Sequence, residues 1–189
     1  PREKGMLGAA EKAEELLQTI ENSISLRQFE NLANPMAHYL STGKEIYEDM
    51  DGQIDYFVAG AGTGGTYTGI MRYLKEQNPR IRILADPIGS TMGGGEHADY
   101  NIEGIGNDFI PKTMDMSLVD QVIKVSDTDA FEMTREITRR AGVIAGTSSG
   151  SSLWCALQLA EKIDSGNIVV LFPDRGDRYF SKKIYGEAD

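Results

Sequence analysis

The sequence predicts an α/β fold built on a mainly parallel sheet with helices on both faces. Short apolar runs with strand-like composition alternate along the chain with segments whose apolar residues recur at helical spacing. Two segments of small residues, 60–66 and 146–152, directly follow strand candidates. Ligand-binding loops occupy this position in open parallel sheets, so the two observations support one architecture.

The elements follow in order from these patterns. The first half predicts an amphipathic helix over residues 6–20, a connector over 24–29, a further helix, a strand over 54–59, a helix over 67–77 closed by Asn78 and Pro79, and a strand over 81–85. The second half predicts a loop over 87–116, a strand over 122–125, a helix to Arg140 capped by Ser126 or Asp127, a short run over 143–145, a polar turn over 146–152, a helix to about Ile163, a strand over 168–172 and a polar tail.

Composition excludes several classes of protein. The 189 residues are 40% hydrophobic and 25% charged, which is ordinary for a globular chain, and the formal net charge is -10. This acidic balance, without a Lys/Arg cluster, disfavours nucleic-acid binding. No apolar run approaches the roughly 20 residues of a membrane helix. The single cysteine, Cys155, cannot form an intramolecular disulfide, and we expect a cytoplasmic protein.

The segment over residues 60–66 is rich in glycine and lies between a strand and a helix. Backbone N–H groups at a helix start and the helix dipole favour an anion there. The glycines allow close approach, and Thr63 and Thr66 add hydroxyl donors. We therefore predict a phosphate site, against the alternative of a tight turn without a ligand.

A dinucleotide-binding loop is a rival interpretation of the same segment. Gly60, Gly62 and Gly65 satisfy the spacing Gly-x-Gly-x-x-Gly, and Asp86 ends the next strand about 20 residues later, where such folds place a ribose-binding acid. The spacing alone leaves both interpretations open.

The second segment, over residues 146–152, contains consecutive hydroxyl residues between a short apolar run and a helix. An N-cap cluster would explain part of this composition, but so many small polar residues also suit a ligand site. Both segments would lie at the carboxyl ends of parallel strands, and two converging loops suit a phosphorylated cofactor.

Other chemistries find less support. Residues 41–44 resemble a nucleotide-binding P-loop but lack its earlier glycine and the hydroxyl residue after the lysine. The two histidines, His38 and His97, have no metal-ligand neighbours at useful spacing, so no metal site is expected. Residues 146–150 match the bare Gly-x-Ser-x-Gly pattern, but no histidine partner is evident for a serine hydrolase.

Five segments also agree, in order and spacing, with one known family. They are residues 28–31 with 33–35, 62–66 with Gly69, 103–106 with 108–111, 146–150, and 172–174 with Arg178 and Tyr179. Together they resemble the cysteine synthase and cystathionine β-synthase family of pyridoxal-phosphate enzymes. The resemblance covers essentially the whole chain. It implies fold type II (tryptophan synthase β-like) and pyridoxal 5'-phosphate as cofactor.

The resemblance implies a role for each matching residue. The phosphate of the cofactor would bind the loop formed by Gly62, Thr63, Gly64, Gly65 and Thr66. Ser148 would hydrogen-bond the pyridine nitrogen; a neutral partner there leaves the ring unprotonated and suits β-elimination. The substrate would contact Gln28, Gly104, Ile105, Glu103 and Tyr100.

The activity implied is β-replacement on L-serine or O-acetyl-L-serine. The amino acid would lose its α-proton and β-substituent to give an aminoacrylate, and a thiol would then add. Residues 86–90 and 34–39 resemble the cystathionine β-synthase branch, which uses homocysteine, whereas residues 28–31 resemble cysteine synthases, which use sulfide. We expect homocysteine as acceptor, with sulfide as the alternative, and a homodimer.

The family's Schiff-base lysine is not recognised in this sequence. That lysine lies in a Ser-x-Lys-Asp-Arg-like motif near the start of the family's fold. The lysines present lack this context and are interpreted as surface charges: Lys4, Lys12, Lys44, Lys75, Lys112, Lys124, Lys162, Lys182 and Lys183. The resemblance therefore implies that the N-terminal part of the fold is missing, that residues 1–34 are the tail of the smaller domain, and that residues 35–189 belong to the larger, cofactor-binding domain. Because the lysine is also the base, the chain alone is expected to be inactive.

Two further hypotheses stay open. One is a nicotinamide-dependent oxidoreductase built on the glycine motif and Asp86. The other is a non-catalytic scaffold, since cysteine synthases bind partner peptides in the active-site cleft and a copy without lysine could keep that role.

Overall fold

The computed structural model describes residues 4–78, 81–182 and 184–185. Its helices are α1 (Gly5–Thr19), α2 (Ala33–Leu40), α3 (Thr42–Asp49), α4 (Gly65–Gln77), α5 (Asp127–Ala141) and α6 (Thr147–Ala160). Its strands are β1 (Tyr56–Gly60), β2 (Ile81–Pro87), β3 (Gln121–Val125) and β4 (Ile168–Val170), and two 3-10 segments span Met116–Leu118 and Gly176–Lys182. Pro79 and Lys183 lie outside the described residues. None of the described helices is long and apolar enough to cross a bilayer.

The strands form a parallel sheet. Within the described residues its order is β3-β2-β1-β4, and every pairing is parallel. In register, Val58 lies opposite Ile83, and Tyr56 lies opposite both Ile81 and Ile168. The carboxyl ends of β1 and β2 therefore lie side by side, which confirms the predicted parallel α/β sheet.

Helices cover both faces of this sheet. Successive side chains of β1 point to opposite faces. Phe57 and Ala59 belong to a core with Ile70 and Met71 of α4, whereas Val58 belongs to the other core, with Cys155 of α6. Both cores are buried from solvent, and together they hold α4 on one face and α5 and α6 on the other. This arrangement confirms the predicted helices on both faces.

α1 lies at the edge of the fold. It contains no buried residue, and its Met6, Leu7 and Leu16 are exposed, as is Ile20, which follows it. An ion pair between Arg27 and Glu14, 3.0 Å from Nη2 to Oε2, connects it to the segment before α2. The predicted domain boundary at residue 34 falls inside α2, which begins at Ala33. The boundary stays a prediction.

The predicted polar turn over residues 146–152 is helical instead. Gly146, in an extended conformation, is the N-cap, and α6 begins at Thr147. Inside the helix, Ser151 Oγ donates to the Thr147 carbonyl at 2.9 Å and Ser152 Oγ donates to the Ser148 carbonyl at 3.0 Å. Because these hydroxyls bond carbonyls one turn back, a run of polar residues becomes compatible with a buried helix.

The strand predicted just before that segment, over residues 143–145, is also absent. Ala145 makes only a single antiparallel bridge with Arg175. The predicted capping of α5 is confirmed, because Ser126 Oγ accepts a hydrogen bond from the Asp129 N–H at 3.1 Å.

Candidate active site

The glycine-rich loop connects β1 to α4 at the carboxyl edge of the sheet. Gly64 has φ +80°, and a Cβ added there would lie 2.8 Å from Met114 Cα. A Cβ on Gly65 would collide with the Asn34 side chain. Side chains are therefore excluded at positions 64 and 65, where the loop runs into the first N–H groups of α4. This geometry accommodates an anion.

The two threonine hydroxyls of the loop contact side chains of α2. Asn34 Nδ2 donates to Thr63 Oγ1 at 3.1 Å, and His38 Nε2 lies 3.0 Å from Thr66 Oγ1. Burial lowers the pKa of His38 below its ordinary value. Sequence reasoning assigned no role to Asn34 or His38, although their spacing of four residues on one helix puts them on the same face.

A second loop connects the glycine-rich loop to the start of α6. The Gly106 N–H donates to the Ala61 carbonyl at 2.8 Å, and Asn107 Nδ2 donates to the Gly62 carbonyl at 2.5 Å. At its other end, the Glu103 N–H donates to Thr147 Oγ1 at 3.1 Å. Residues 103–107 thus form a bridge, called here the 103–107 bridge, between the two segments that the sequence singled out.

Contact between the two loops is close. A Cβ on Gly62 would lie 2.5 Å from the Gly104 carbonyl oxygen, and a Cβ on Gly60 would lie 2.5 Å from Ile105 Cγ2. Glycine at both positions is therefore required by the approach of the bridge. The sequence indicated the glycines but not their partner.

Ser148 lies in the first turn of α6 and is 2% exposed. No described residue hydrogen-bonds its hydroxyl. The neighbouring Ser149 Oγ is fully buried and also lacks a partner among the described residues. Buried hydroxyls normally find partners, so this helix start has hydrogen-bonding capacity left for a ligand.

An open cleft of about 760 Å³ lies between the bridge, the glycine-rich loop and the start of α1. The predicted site residues that line it are Gln28, Gly62, Thr63, Tyr100, Gly104 and Ile105. The predicted site residues outside its lining are Gly64, Gly65, Thr66, Glu103 and Ser148. The cleft therefore brings Gln28, Tyr100, Gly104 and Ile105 beside the glycine-rich loop, whereas Glu103 and Ser148 lie outside its lining.

Two of the substrate candidates have distinct environments. Burial, followed by the charges of Asp108 and Asp86, raises the pKa of Tyr100 to about 12, so its phenol stays protonated at neutral pH. The Glu103 carboxylate forms an ion pair with Lys182. Only the backbone of Glu103 takes part in the bridge.

Asp86 occupies the place where a dinucleotide fold would hold ribose. Its carboxylate is 1% exposed, lies 2.5 Å from Lys124 Nζ and accepts the Gly93 N–H at 3.0 Å. It is therefore engaged inside the protein, which removes the acid required by the nicotinamide hypothesis. Lys124, interpreted from sequence as a surface charge, is instead the partner of a buried carboxylate.

Comparison with known proteins decides the family. The family model described as "Pyridoxal-phosphate dependent enzyme" matches residues 3–174. The chain belongs to this family. The resemblance to cysteine synthases and cystathionine β-synthases is thereby confirmed, as is pyridoxal phosphate as the family's cofactor.

Individual relatives cover the same stretch. The chain is 46% identical over 187 residues to the O-acetylserine dependent cystathionine beta-synthase of Bacillus subtilis (strain 168), covering 98% of this chain and 61% of the relative. It is 41% identical over 197 residues to cysteine synthase A of Escherichia coli (strain K12), covering 97% and 61%. The chain thus spans about three-fifths of the length of these relatives.

Solved structures agree with this placement. The crystal structure of the O-acetylserine dependent cystathionine beta-synthase from Helicobacter pylori matches with a TM-score of 0.93 and 40% identity, over 98% of this chain and 61% of that one. The parallel sheet with flanking helices is therefore the fold-type II architecture.

The residues present fit the family's cofactor. The glycine cradle is closed to side chains by Met114 and Asn34 and is open to an anion at the start of α4. Its two threonines add hydroxyl donors, and the hydroxyl-rich start of α6 has free hydrogen-bonding capacity. This donor set matches a phosphate ester joined to a heteroaromatic ring.

Proposed function

We propose that the complete protein catalyses β-replacement on O-acetyl-L-serine or L-serine, with homocysteine as acceptor and cystathionine as product. Sulfide as acceptor, which would give cysteine, is the second candidate. The observation that carries the proposal is the 103–107 bridge, because it joins the glycine-rich loop, the start of α6 and the cleft into one site. The similarity to enzymes named for both reactions supports each candidate.

Bound pyridoxal phosphate supplies the electron sink that allows an amino acid to lose its α-proton and then its β-substituent. We assign the phosphate to the part of the glycine-rich loop formed by Gly62, Thr63, Gly64, Gly65 and Thr66, called here the phosphate loop. The helix dipole of α4 and the N–H groups at its start stabilise the negative charge there. The two threonine hydroxyls donate the remaining hydrogen bonds.

Ser148 is assigned to the pyridine nitrogen. Its hydroxyl lies at the start of α6, is nearly buried, and has no described partner that would compete. A hydroxyl can donate one proton without adding a charge, so it orients the ring and leaves the nitrogen unprotonated. A carboxylate in its place would stabilise a protonated ring.

The substrate amino acid is assigned to the cleft. The side-chain amide of Gln28 would donate to the substrate carboxylate, and the backbone at Gly104 and Ile105 would lie beside its amine. The protonated phenol of Tyr100 provides a further donor on the same wall. Glu103 contributes through its N–H, which holds the bridge on Thr147.

The base that removes the α-proton is assigned to a lysine outside this chain, because no lysine here matches the family's motif. We therefore propose that the 189 residues alone do not turn over. The visible spectra of the complete, natively purified protein and of the 189-residue chain, each with added pyridoxal phosphate, test this point. A yellow band that borohydride abolishes is expected in the complete protein alone. The same band in the 189-residue chain, or a complete protein that stays colourless with added pyridoxal phosphate, would contradict the proposal.

Acceptor and donor require a product assay. The complete protein is incubated with O-acetyl-L-serine or L-serine and either L-homocysteine or sulfide, and cystathionine and cysteine are quantified by mass spectrometry. A higher kcat/KM with homocysteine supports the first candidate, and a higher value with sulfide supports the second. If neither product forms, β-replacement is wrong, and peptide binding without turnover would favour the scaffold hypothesis.

We also propose, from the family resemblance, that the complete protein is a cytoplasmic homodimer. Analytical ultracentrifugation of the complete protein tests the oligomeric state, and a monomer at micromolar concentration would contradict it.

A further inference from the structure

α2 lies unusually close to the first turns of α4. A Cβ on Gly69 would lie 2.7 Å from His38 Cβ and 2.9 Å from the Tyr39 nitrogen, so the two helices touch along their backbones. This contact places the side chains of Asn34 and His38 directly behind the phosphate loop. Each of them contacts one of its two threonines.

Thr63 Oγ1 accepts two hydrogen bonds. Asn34 Nδ2 donates at 3.1 Å and the Gly65 N–H donates at 3.3 Å. A hydroxyl oxygen has two lone pairs and one proton, so Thr63 has only its proton left to offer. Asn34 is itself held by a second bond, from Nδ2 to the Gln28 carbonyl at 2.9 Å.

His38 lies between two threonines. Its Nδ1 is 3.0 Å from Thr42 Oγ1, and its Nε2 is 3.0 Å from Thr66 Oγ1. Burial favours the neutral imidazole, which has one donor nitrogen and one acceptor nitrogen. The chain of hydrogen bonds can therefore run in either of two directions.

A phosphate selects one of these directions. Its oxygens accept hydrogen bonds, so Thr66 must donate its proton to the phosphate and accept from His38. The proton of the neutral ring then lies on Nε2, and Nδ1 accepts from the Thr42 hydroxyl. Thr42, His38 and Thr66 form one continuous donor chain that ends on the phosphate.

We propose that Asn34 and His38 are positioning residues that orient the hydroxyls of Thr63 and Thr66 as donors toward the cofactor phosphate. The proposal rests on the proposed phosphate site and adds the residues that orient its two threonine hydroxyls. Neither residue touches the phosphate itself. Thr42, which begins α3, completes the chain by fixing the ring of His38.

Substitutions at His38 separate orientation of Thr66 from simple packing. His38→Gln places an amide N–H near the position of Nε2, whereas His38→Phe fills the volume without a donor. Binding of pyridoxal phosphate and of pyridoxal, which lacks the phosphate, is measured by fluorescence titration of the complete apoprotein. We expect His38→Phe to weaken pyridoxal phosphate about tenfold and to leave pyridoxal unchanged, with His38→Gln within about threefold of the parent protein.

Tyr39→Phe is the matched control on the same helix. Tyr39 donates to Glu76 Oε2 at 2.7 Å, away from the loop, so its loss should leave both affinities unchanged. If His38→Phe weakens both ligands equally, or if His38→Gln is as weak as His38→Phe, the positioning role is wrong. If the parent protein itself shows no preference for pyridoxal phosphate over pyridoxal, the phosphate site fails, which is a different result.

The direction of the hydrogen bonds from Thr42 through His38 to Thr66 can be measured separately. The ¹⁵N chemical shifts of His38, assigned by comparison with His38→Gln, report which ring nitrogen carries the proton. With pyridoxal phosphate bound, we expect the Nε2–H tautomer. A ring protonated on Nδ1 alone in that complex would overturn the proposal.

Discussion

The side-chain amide of Asn107 holds the carbonyl of Gly62, with 2.5 Å between Nδ2 and the oxygen. Asn107 is 8% exposed, and it is the residue through which the 103–107 bridge fixes the outer end of the phosphate loop. We therefore expect cofactor binding and loop rigidity to depend on the same amide.

Asn107→Ala is expected to weaken cofactor retention. The substitution removes the donor and leaves the Gly62 carbonyl without its partner, at a cost of about 1–3 kcal/mol. Equilibrium dialysis against pyridoxal phosphate measures the loss. Asp108→Asn is the neighbouring control, because Asp108 is exposed and bonds His97 at 2.8 Å instead of the loop. Equal retention in both variants would contradict a role for the amide.

Gly64→Val is expected to abolish cofactor retention. The new Cβ would meet Met114 Cα at 2.8 Å, and the residue would have to adopt φ +80°, which β-branched side chains strongly disfavour. Gly142→Val separates these two effects, because Gly142 has φ +69° but no atom within 4 Å of the added Cβ. Both variants should lose stability in thermal unfolding, whereas only Gly64→Val should lose the cofactor. Full cofactor occupancy in Gly64→Val would show that the loop is structural.

Ser148→Ala in the complete protein is expected to keep the fold and slow elimination. No described residue bonds the Ser148 hydroxyl, so the melting temperature should not fall, whereas loss of the ring contact should slow the reaction about tenfold. Ser152→Ala is the matched control: it removes a buried hydroxyl that bonds the Ser148 carbonyl at 3.0 Å. Pre-steady-state absorbance with O-acetyl-L-serine measures the rate. An unchanged rate in Ser148→Ala would remove Ser148 from the site.

The sheet was predictable because strand and helix periodicities in this chain are simple. The runs that became β1 and β2 have apolar residues on both faces, and Ser126 was one of the two residues predicted to cap α5. The start of α6 was misplaced, because local composition favours a turn for consecutive small polar residues. Burial of α6 against the sheet and hydroxyl-to-carbonyl bonds inside the helix, such as that of Ser151, override this preference.

The site was predictable where a motif carries a backbone requirement, as at Gly62 and Gly64. It was not predictable where distant segments meet, because the proposed roles of Asn34, His38 and Asn107 rest on the folded contacts of α2 and of the 103–107 bridge. Glycine spacing likewise left Asp86 as a ribose-binding candidate. Only its burial and its bond to Lys124 assign it to the interior.

Lys124→Met is expected to destabilise the fold strongly. The Asp86 carboxylate is 1% exposed, and its Oδ1 has no hydrogen-bond partner among the described residues, so Lys124 provides the nearby positive charge. Lys124 Nζ also donates to the Ser90 carbonyl at 2.7 Å, which ties β3 to the loop after β2. Removing one member of a buried ion pair leaves an uncompensated charge, and the expected loss is about 3 kcal/mol of unfolding free energy.

Lys44→Met provides the comparison for this ion pair. Lys44 Nζ lies 3.6 Å from Glu48 Oε1 on the surface of α3, and exposed pairs of this kind contribute about 0.5 kcal/mol or less. Urea unfolding of both variants measures the difference. If Lys124→Met costs no more than Lys44→Met, the Asp86 carboxylate is compensated by something other than Lys124. If Lys124→Met is strongly destabilising, the double variant Asp86→Asn with Lys124→Met should recover part of the lost stability, because the neutral amide needs no cation beside it. No recovery in the double variant would mean that the uncompensated charge did not cause the loss.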